Sequence, residues 1–294
     1  MPKPYDCPWL VPTDGSFRLR EAPCAPPVDT PPKKKLKRAL EDEVEKLAEL
    51  QHTLYAQDDH AILCVFQAMD AAGKDSTIRA VFSGVNPAGF QVHSFKRPSS
   101  NELDHDFLWR TAKALPERGR IGVFNRSYYE EVLVVKVNPG ILDGQKLPDR
   151  PPLERLFDER YESIRDHEKH LARNGVVILK FWLNVSRDEQ ARRFLSRLEE
   201  PHKHWKFDDG DLRTRADWDA YMDAYERALN ETSAEHAPWY AIPADNKPYM
   251  RWQVARILRK TLEGLGLGFP TVEDGETSDF ERYADQLRRE LGEA

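Results

Sequence analysis

The chain has 294 residues, enough for one large α/β domain or two small ones. Charged residues make up 32% and the formal net charge is −6, which excludes the basic surface of a broad nucleic-acid binder but allows a local cationic channel. The longest apolar stretch, Val176–Leu183, is interrupted by Lys180 and too short to span a bilayer. Cys7, Cys24 and Cys64 make neither a disulfide framework nor a C-x-x-C pair. The expectation is a cytoplasmic protein that engages neither nucleic acid nor membrane.

Residues 1–34 carry prolines at 2, 4, 8, 12, 23, 26, 27, 31 and 32, so they read as an extended arm, packed on the rest through Trp9, Leu10 and Phe17. The basic run Lys33–Arg38 is a solvated helix start. Leu40, Val44, Leu47, Leu50 and Leu54 then form an apolar stripe at helical spacing. Ala61–Phe66 is a buried strand, with Cys64 as a small core residue. It is followed by Gln67-Ala-Met-Asp-Ala-Ala-Gly-Lys-Asp-Ser-Thr77 and a helix-compatible run from Ser76.

Further along, Gly89–Phe95 reads as a strand and His105–Ala114 as a helix closed by Pro116. Arg120–Phe124 is a short strand, Pro152–Arg173 a helix stopped by Asn174-Gly175, and Val176–Leu183 a strand. Helices are expected over Asp188–Leu198, Asp217–Asn230 and Lys247–Leu262, with a strand at Ala237–Ile242. Residues 266–294 form a peripheral segment with a helix near Phe280–Leu291. Strands separated by helices imply an α/β fold, a parallel sheet covered on both faces.

Strand, glycine-lysine loop and helix together make a phosphate cradle. Backbone N–H groups and the helix N-terminus converge on an anion, and a lysine reaches the outer phosphates. Ala71, Ala72, Gly73, Lys74, Asp75 and Ser76 are the phosphate-binding positions. The motif departs from G-x-x-x-x-G-K-[ST] at Ala68 and Asp75. Ala68 is tolerable if its backbone needs no positive φ. Asp75 would repel phosphate, so Asp70 is the better holder of Mg²⁺.

Ligands bind beyond the carboxyl ends of strands in such sheets, and Arg120–Phe124 ends in Asn125-Arg-Ser-Tyr-Tyr-Glu-Glu131. Arg126 could clamp a phosphate bidentately, and Glu130 would share its face on a helix. Asn125 carries no charge for a metal. Tyr128 and Trp109 are the aromatic residues placed to meet a base. Arg193 and Arg197, with Lys203 and Lys206 in the loop beyond, read as a mobile phosphate-covering lid over about residues 187–215. His202-x-His204 lacks the further ligands of a zinc site.

Gln67–Lys74, Phe124-Asn-Arg-Ser-Tyr-Tyr-Glu130 and Arg193 followed by Pro201-His-Lys-His-Trp-Lys206 resemble polyphosphate kinase family 2. His105–Arg110 and Ala237–Pro243 with Lys247 add to the likeness, which spans about residues 35–265. The resemblance implies a three-layer P-loop kinase domain, thymidylate-kinase-like, with a helical lid. It also implies phosphoryl transfer from inorganic polyphosphate to adenine or guanine nucleotides with Mg²⁺ or Mn²⁺, and a homo-oligomer, a tetramer by analogy. Carried over by position, Asp70 helps bind metal, Lys74 holds the transferring phosphate, Arg126 binds beside it and the lid arginines close over the site. Asn125 with Glu130, where relatives commonly have Asp and Asn, points to the subgroup acting on both AMP and ADP, with Glu130 as a second metal candidate. An ATP-dependent nucleoside monophosphate kinase and a non-catalytic anion-binding module are the alternatives.

Overall fold

The computed structural model describes residues 3–271 and 274–293. In chain order the elements are α1 (Lys33–Gln57), β1 (Ala61–Gln67), α2 (Lys74–Val81), β2 (Phe90–Ser94), α3 (Ser100–Leu103), α4 (Trp109–Ala112), β3 (Ile121–Asn125), α5 (Val134–Val137), α6 (Leu153–Arg173), β4 (Val176–Asn184), α7 (Arg187–Glu199), α8 (Asp209–Ala216), α9 (Trp218–Thr232), β5 (Trp239–Pro243), α10 (Lys247–Glu263) and α11 (Asp274–Leu291). All five strands run parallel in the spatial order β2-β3-β1-β4-β5. β1 lies at the centre, with Ile62 opposite Ile121 on one side and Val177 on the other.

Because β1 is covered on both faces, all seven of its residues are buried, which is why it reads as an unbroken apolar run rather than an alternation. Helices α1, α2 and α10 pack together, and α6 and α9 pack with α5 in a second group. The stripe foreseen on the first helix is the buried face of α1, where Leu36, Val44, Leu47 and Leu54 are enclosed.

The N-terminal arm packs on the rest of the chain, and its seat is β5. Val11 N–H donates to Trp239 O at 2.9 Å, Ala241 N–H to Trp9 O at 2.8 Å, and Trp9 Nε1 to Gln253 Oε1 at 3.1 Å. Phe17 meets Trp182 edge to face.

Two sequence readings change. The helix expected over His105–Ala114 is only the single turn α4, and Asp106 Oδ1 accepts Leu108 N–H at 2.9 Å ahead of it, a cap-type bond that delays its start. The strand expected from Ala237 begins at Trp239, since Ala237 N–H donates back to Ala234 O in a tight turn.

Lys180, the charge inside the apolar run of β4, is fully buried. Its Nζ donates to Glu168 Oε2 at 2.6 Å, Tyr129 Oη at 2.9 Å and Thr232 O at 2.8 Å. Tyr128 and Tyr129 donate to Glu168 Oε1 at 2.9 and 2.8 Å. This network ties β4 to α6, α9 and the segment after β3, and it satisfies every charge it buries. Removing one partner strands the other in low dielectric, at a cost of about 3–5 kcal/mol. Glu168→Leu should therefore lower unfolding free energy by about that amount, whereas Glu168→Leu with Lys180→Met should recover much of it; denaturant unfolding measures both.

Candidate active site

β1 ends at Gln67 and the chain turns through Ala68–Gly73 into α2. Gly73 has φ 109° and caps the helix. A Cβ there would stand 3.3 Å from Met250 Cε, so the left-handed backbone and close packing both call for glycine. Ala71 also sits in the left-handed region, φ 59°, whereas Ala68 does not. The substitution of the first motif glycine by alanine is therefore accommodated without strain there.

Lys74 Nζ donates to Ala68 O at 2.8 Å across the loop. Burial lowers its pKa, with Arg126 adding to the effect and Asp70 and Glu130 opposing it. The loop is shaped from outside by α7. Arg193 Nη1 donates to Ala71 O at 3.1 Å and Ala72 O at 2.6 Å, and its Nη2 to Ala244 O at 2.6 Å and Asp245 O at 3.2 Å. Gln190 Nε2 donates to Asp70 O at 2.9 Å. Arg193 is buried and its fork is filled by carbonyls. The expectation of a lid arginine free to meet phosphate is corrected: Arg193 positions the loop that does. Its own Nε is held by Glu189 Oε1 at 2.9 Å.

β3 ends beside β1. Arg126, φ 64°, turns its side chain toward the loop, where Nη2 meets Asp70 Oδ1 at 3.0 Å and Nη1 meets Glu130 Oε2 at 3.3 Å. With its amide oriented to satisfy both ends, Gln67 donates to Glu130 Oε1 at 2.9 Å and accepts from Ser127 N–H. Burial raises the Glu130 pKa, opposed by Arg126 and Lys74. Asn125 Nδ2 donates to Asp75 Oδ1 at 2.6 Å, which gives Asp75 a neutral partner and leaves it beside, rather than in, the loop's anion seat.

These groups open onto a cleft of about 900 Å³ lined by the loop, Asn125, Arg126, α7 and the segment Pro201–Asp211. Ten lining side chains are cationic and five anionic, a local excess of positive charge in a chain of net charge −6. Of the residues singled out in the sequence, Asp70, Ala71, Gly73, Lys74, Asp75, Ser76, Asn125, Arg126, Arg193, Arg197, Lys203 and Lys206 line it. Lys96, Arg97, Arg192, Trp205 and Lys247 line it too. None of these five was named as a site residue. Lys96-Arg97 follow β2 at the same carboxyl edge of the sheet, which is the signal that could have found them.

Four expected residues lie outside the cleft lining. Tyr128 is buried with its hydroxyl on Glu168, so it is a core residue and cannot stack a base. Trp109 stacks on His105 at 3.7 Å with Lys113 over its ring, outside the cleft lining. Glu130 stands behind Arg126, outside the cleft lining, with its carboxylate oxygens on Arg126 and Gln67, so it anchors that arginine. Ala72, buried, contributes its carbonyl to Arg193.

No group of three or more His, Cys, Asp or Glu side chains gathers to hold a metal among the described residues. Asp70, 18% exposed on the cleft floor, fits Mg²⁺ or Mn²⁺ of the kind that takes one or two carboxylates and completes its octahedron with phosphate oxygens and water. No described helix is long and apolar enough to cross a membrane.

A family model described as polyphosphate kinase 2 matches residues 31–266. The chain belongs to the polyphosphate kinase 2 family. It is 53% identical over 249 residues to a Rhodopseudomonas palustris protein named ADP-polyphosphate phosphotransferase, covering 84% of this chain and 86% of that one. It is 48% identical over 228 residues to a Meiothermus ruber protein named AMP/ADP-polyphosphate phosphotransferase, covering 78% and 81%. The crystal structure of polyphosphate kinase 2 from Arthrobacter aurescens superposes with a TM-score of 0.83 at 39% identity, covering 92% of this chain and 93% of that one.

Arg193→Lys keeps the charge but loses the two-armed fork. It should weaken binding of inorganic triphosphate about tenfold, or about 1.4 kcal/mol, measured by titration calorimetry, with the fold retained by circular dichroism.

Proposed function

We propose that this protein transfers a phosphoryl group from inorganic polyphosphate to AMP and ADP, giving ADP and ATP, and that the reaction runs reversibly. The observation that carries the reading is the crowding of Lys74, Arg126 and the N-terminus of α2 around one loop at the floor of a cationic cleft. Membership in the polyphosphate kinase 2 family gives that cleft its donor.

Both substrates are polyanions, so the obstacle is mutual repulsion rather than a weak nucleophile. The acceptor phosphate is already ionised near neutral pH, and no general base is required. A terminal oxygen of the nucleotide attacks the end phosphorus of polyphosphate. The bond from that phosphorus to the next bridging oxygen breaks, and the departing chain is one phosphate shorter. Catalysis is then alignment and charge neutralisation. Loop N–H groups and Lys74 hold the transferring group, and Arg126 spans the two reactants. Asp70 would hold Mg²⁺ or Mn²⁺, which when bound screens phosphate charge. Lys203, Lys206 and Arg197 cover the cleft from the segment after α7, the lid. A cytoplasmic location and self-assembly into an oligomer, a tetramer by analogy, complete the reading.

Purified protein with Mg²⁺, AMP and long-chain polyphosphate should produce ADP and then ATP with no other donor. Failure to form product while ATP serves as donor would assign it instead to nucleoside monophosphate kinases. Lys74→Ala should reduce kcat by at least about 10³-fold, taking the loss of a preorganised charge contact as the scale, while leaving unfolding unchanged. Glu130→Gln should loosen Arg126 and lower kcat/KM for AMP more than for ADP; equal effects on both would sever Glu130 from acceptor choice.

A further inference from the structure

Five carboxylates line the cleft. Asp70 is paired with Arg126, Glu189 with Arg193 and Asp211 with Arg197, and Asp208 caps α8 through the N–H of Gly210. Asp75 differs. Among the described residues its one side-chain hydrogen bond comes from Asn125 Nδ2, at 2.6 Å, and it has no ion-pair partner. The same Nδ2 also reaches Ser94 Oγ at 3.4 Å. A carboxylate only accepts, so the amide must present its nitrogen to it. Asp75 therefore stands exposed on a cleft lined by ten cationic side chains, held by a neutral group and matched to none of them.

These two residues also occupy the two positions from which a phosphate loop holds its metal. Such a site ordinarily takes a hydroxyl from the residue after the loop lysine and a carboxylate from the strand beside the loop. Here the residue after Lys74 is Asp75, and β3, paired with β1, ends in Asn125. Acid and neutral group have exchanged sides, and they touch. We propose that Asp75 is the second metal-holding carboxylate of this site, together with Asp70, and that Asn125 is the residue that positions it. The assignment deepens the proposed function and rests on it for the metal, Mg²⁺ or Mn²⁺. One or two carboxylates are what Mg²⁺ takes alongside phosphate oxygens. The assignment also removes a conflict in the loop. Asp75 by itself repels phosphate, whereas Asp75 carrying a divalent cation presents a net positive charge to it.

The test is Mn²⁺ binding to the full chain, followed by electron paramagnetic resonance in the presence of inorganic triphosphate. Asp75→Asn should weaken Mn²⁺ by at least about tenfold, the loss typical of a disturbed metal site. The double variant Asp75→Asn with Asn125→Asp returns the acid to the strand and should restore most of that affinity. Without metal, Asp75→Asn should bind triphosphate at least as tightly as the unmodified protein, because a negative charge has gone. Unchanged Mn²⁺ affinity in Asp75→Asn, or a loss that the double variant does not recover, overturns the assignment. Weaker metal-free triphosphate binding in Asp75→Asn also overturns it, since Asp75 would then only shape the loop. Circular dichroism checks the fold of each variant. If the double variant does not fold, Asn125→Ala replaces it: a weakening of Mn²⁺ smaller than that of Asp75→Asn supports the pair, and none overturns it. Activity separates the two readings. If the unmodified protein binds Mn²⁺ but transfers no phosphoryl group, the proposed function falls and Asp75 is decided by the Mn²⁺ series alone. If it transfers phosphoryl groups and Asp75→Asn holds Mn²⁺ as before, only the assignment of Asp75 falls.

Discussion

The Arg193 guanidinium is the contact on which the site is built. A phosphate loop must aim its N–H groups inward, which turns several carbonyls outward and leaves them to be satisfied by something else. Here the outward carbonyls of Ala71 and Ala72 are collected by one arginine, whose second arm takes Ala244 and Asp245 at the end of β5. Ala71 can then stay in a left-handed conformation that a free alanine avoids by about 1–2 kcal/mol. The helix that supplies the fork leads directly into the covering segment Pro201–Ala216, so the geometry of the loop and the placement of its cover are set by one rigid element.

Within the cleft, several of the cations are already matched to internal carboxylates. Arg126 lies between Asp70 and Glu130, Arg197 meets Asp211 at 2.7 Å, and Lys203 pairs with Glu200. An entering anion must compete with these partners. A monovalent ion brings too little charge to do so, whereas a chain of phosphates brings several charges at once along the same path. The internal pairing thus acts as a threshold that favours polyanions, and it keeps a strongly cationic cleft from destabilising the fold by self-repulsion.

Much of the architecture was legible from the sequence because its signals are local. Apolar runs gave β1 and β4, an apolar stripe at helical spacing gave α1, the Asn174-Gly175 stop marked the end of α6, and the Gly73-Lys74 turn pointed to an anion seat between strand and helix. Arg126 was found by combining a strand end with a charge. The failures come from partners remote in sequence. Arg193 looks like any basic helix residue until Ala71 and Ala244 are brought to it from 122 and 51 positions away. Tyr128, adjacent to the site in sequence, is drawn into the core by Glu168, and Glu130 is turned behind Arg126 by Gln67. Lys180 seemed only to interrupt a strand, when in fact it is the hub of a buried network.

The docking of the arm on β5 has a bearing on biosynthesis. Trp9 and Val11 pair with Trp239 and Ala241, Phe17 with Asn230, and Cys24 with Asp245. These partners emerge from the ribosome more than two hundred residues later. The segment translated early is therefore among the last to find its seat, and its aromatic side chains must wait in solvent meanwhile. Its prolines suit that interval, since they deny the waiting segment the regular strand pairing through which nascent chains coalesce.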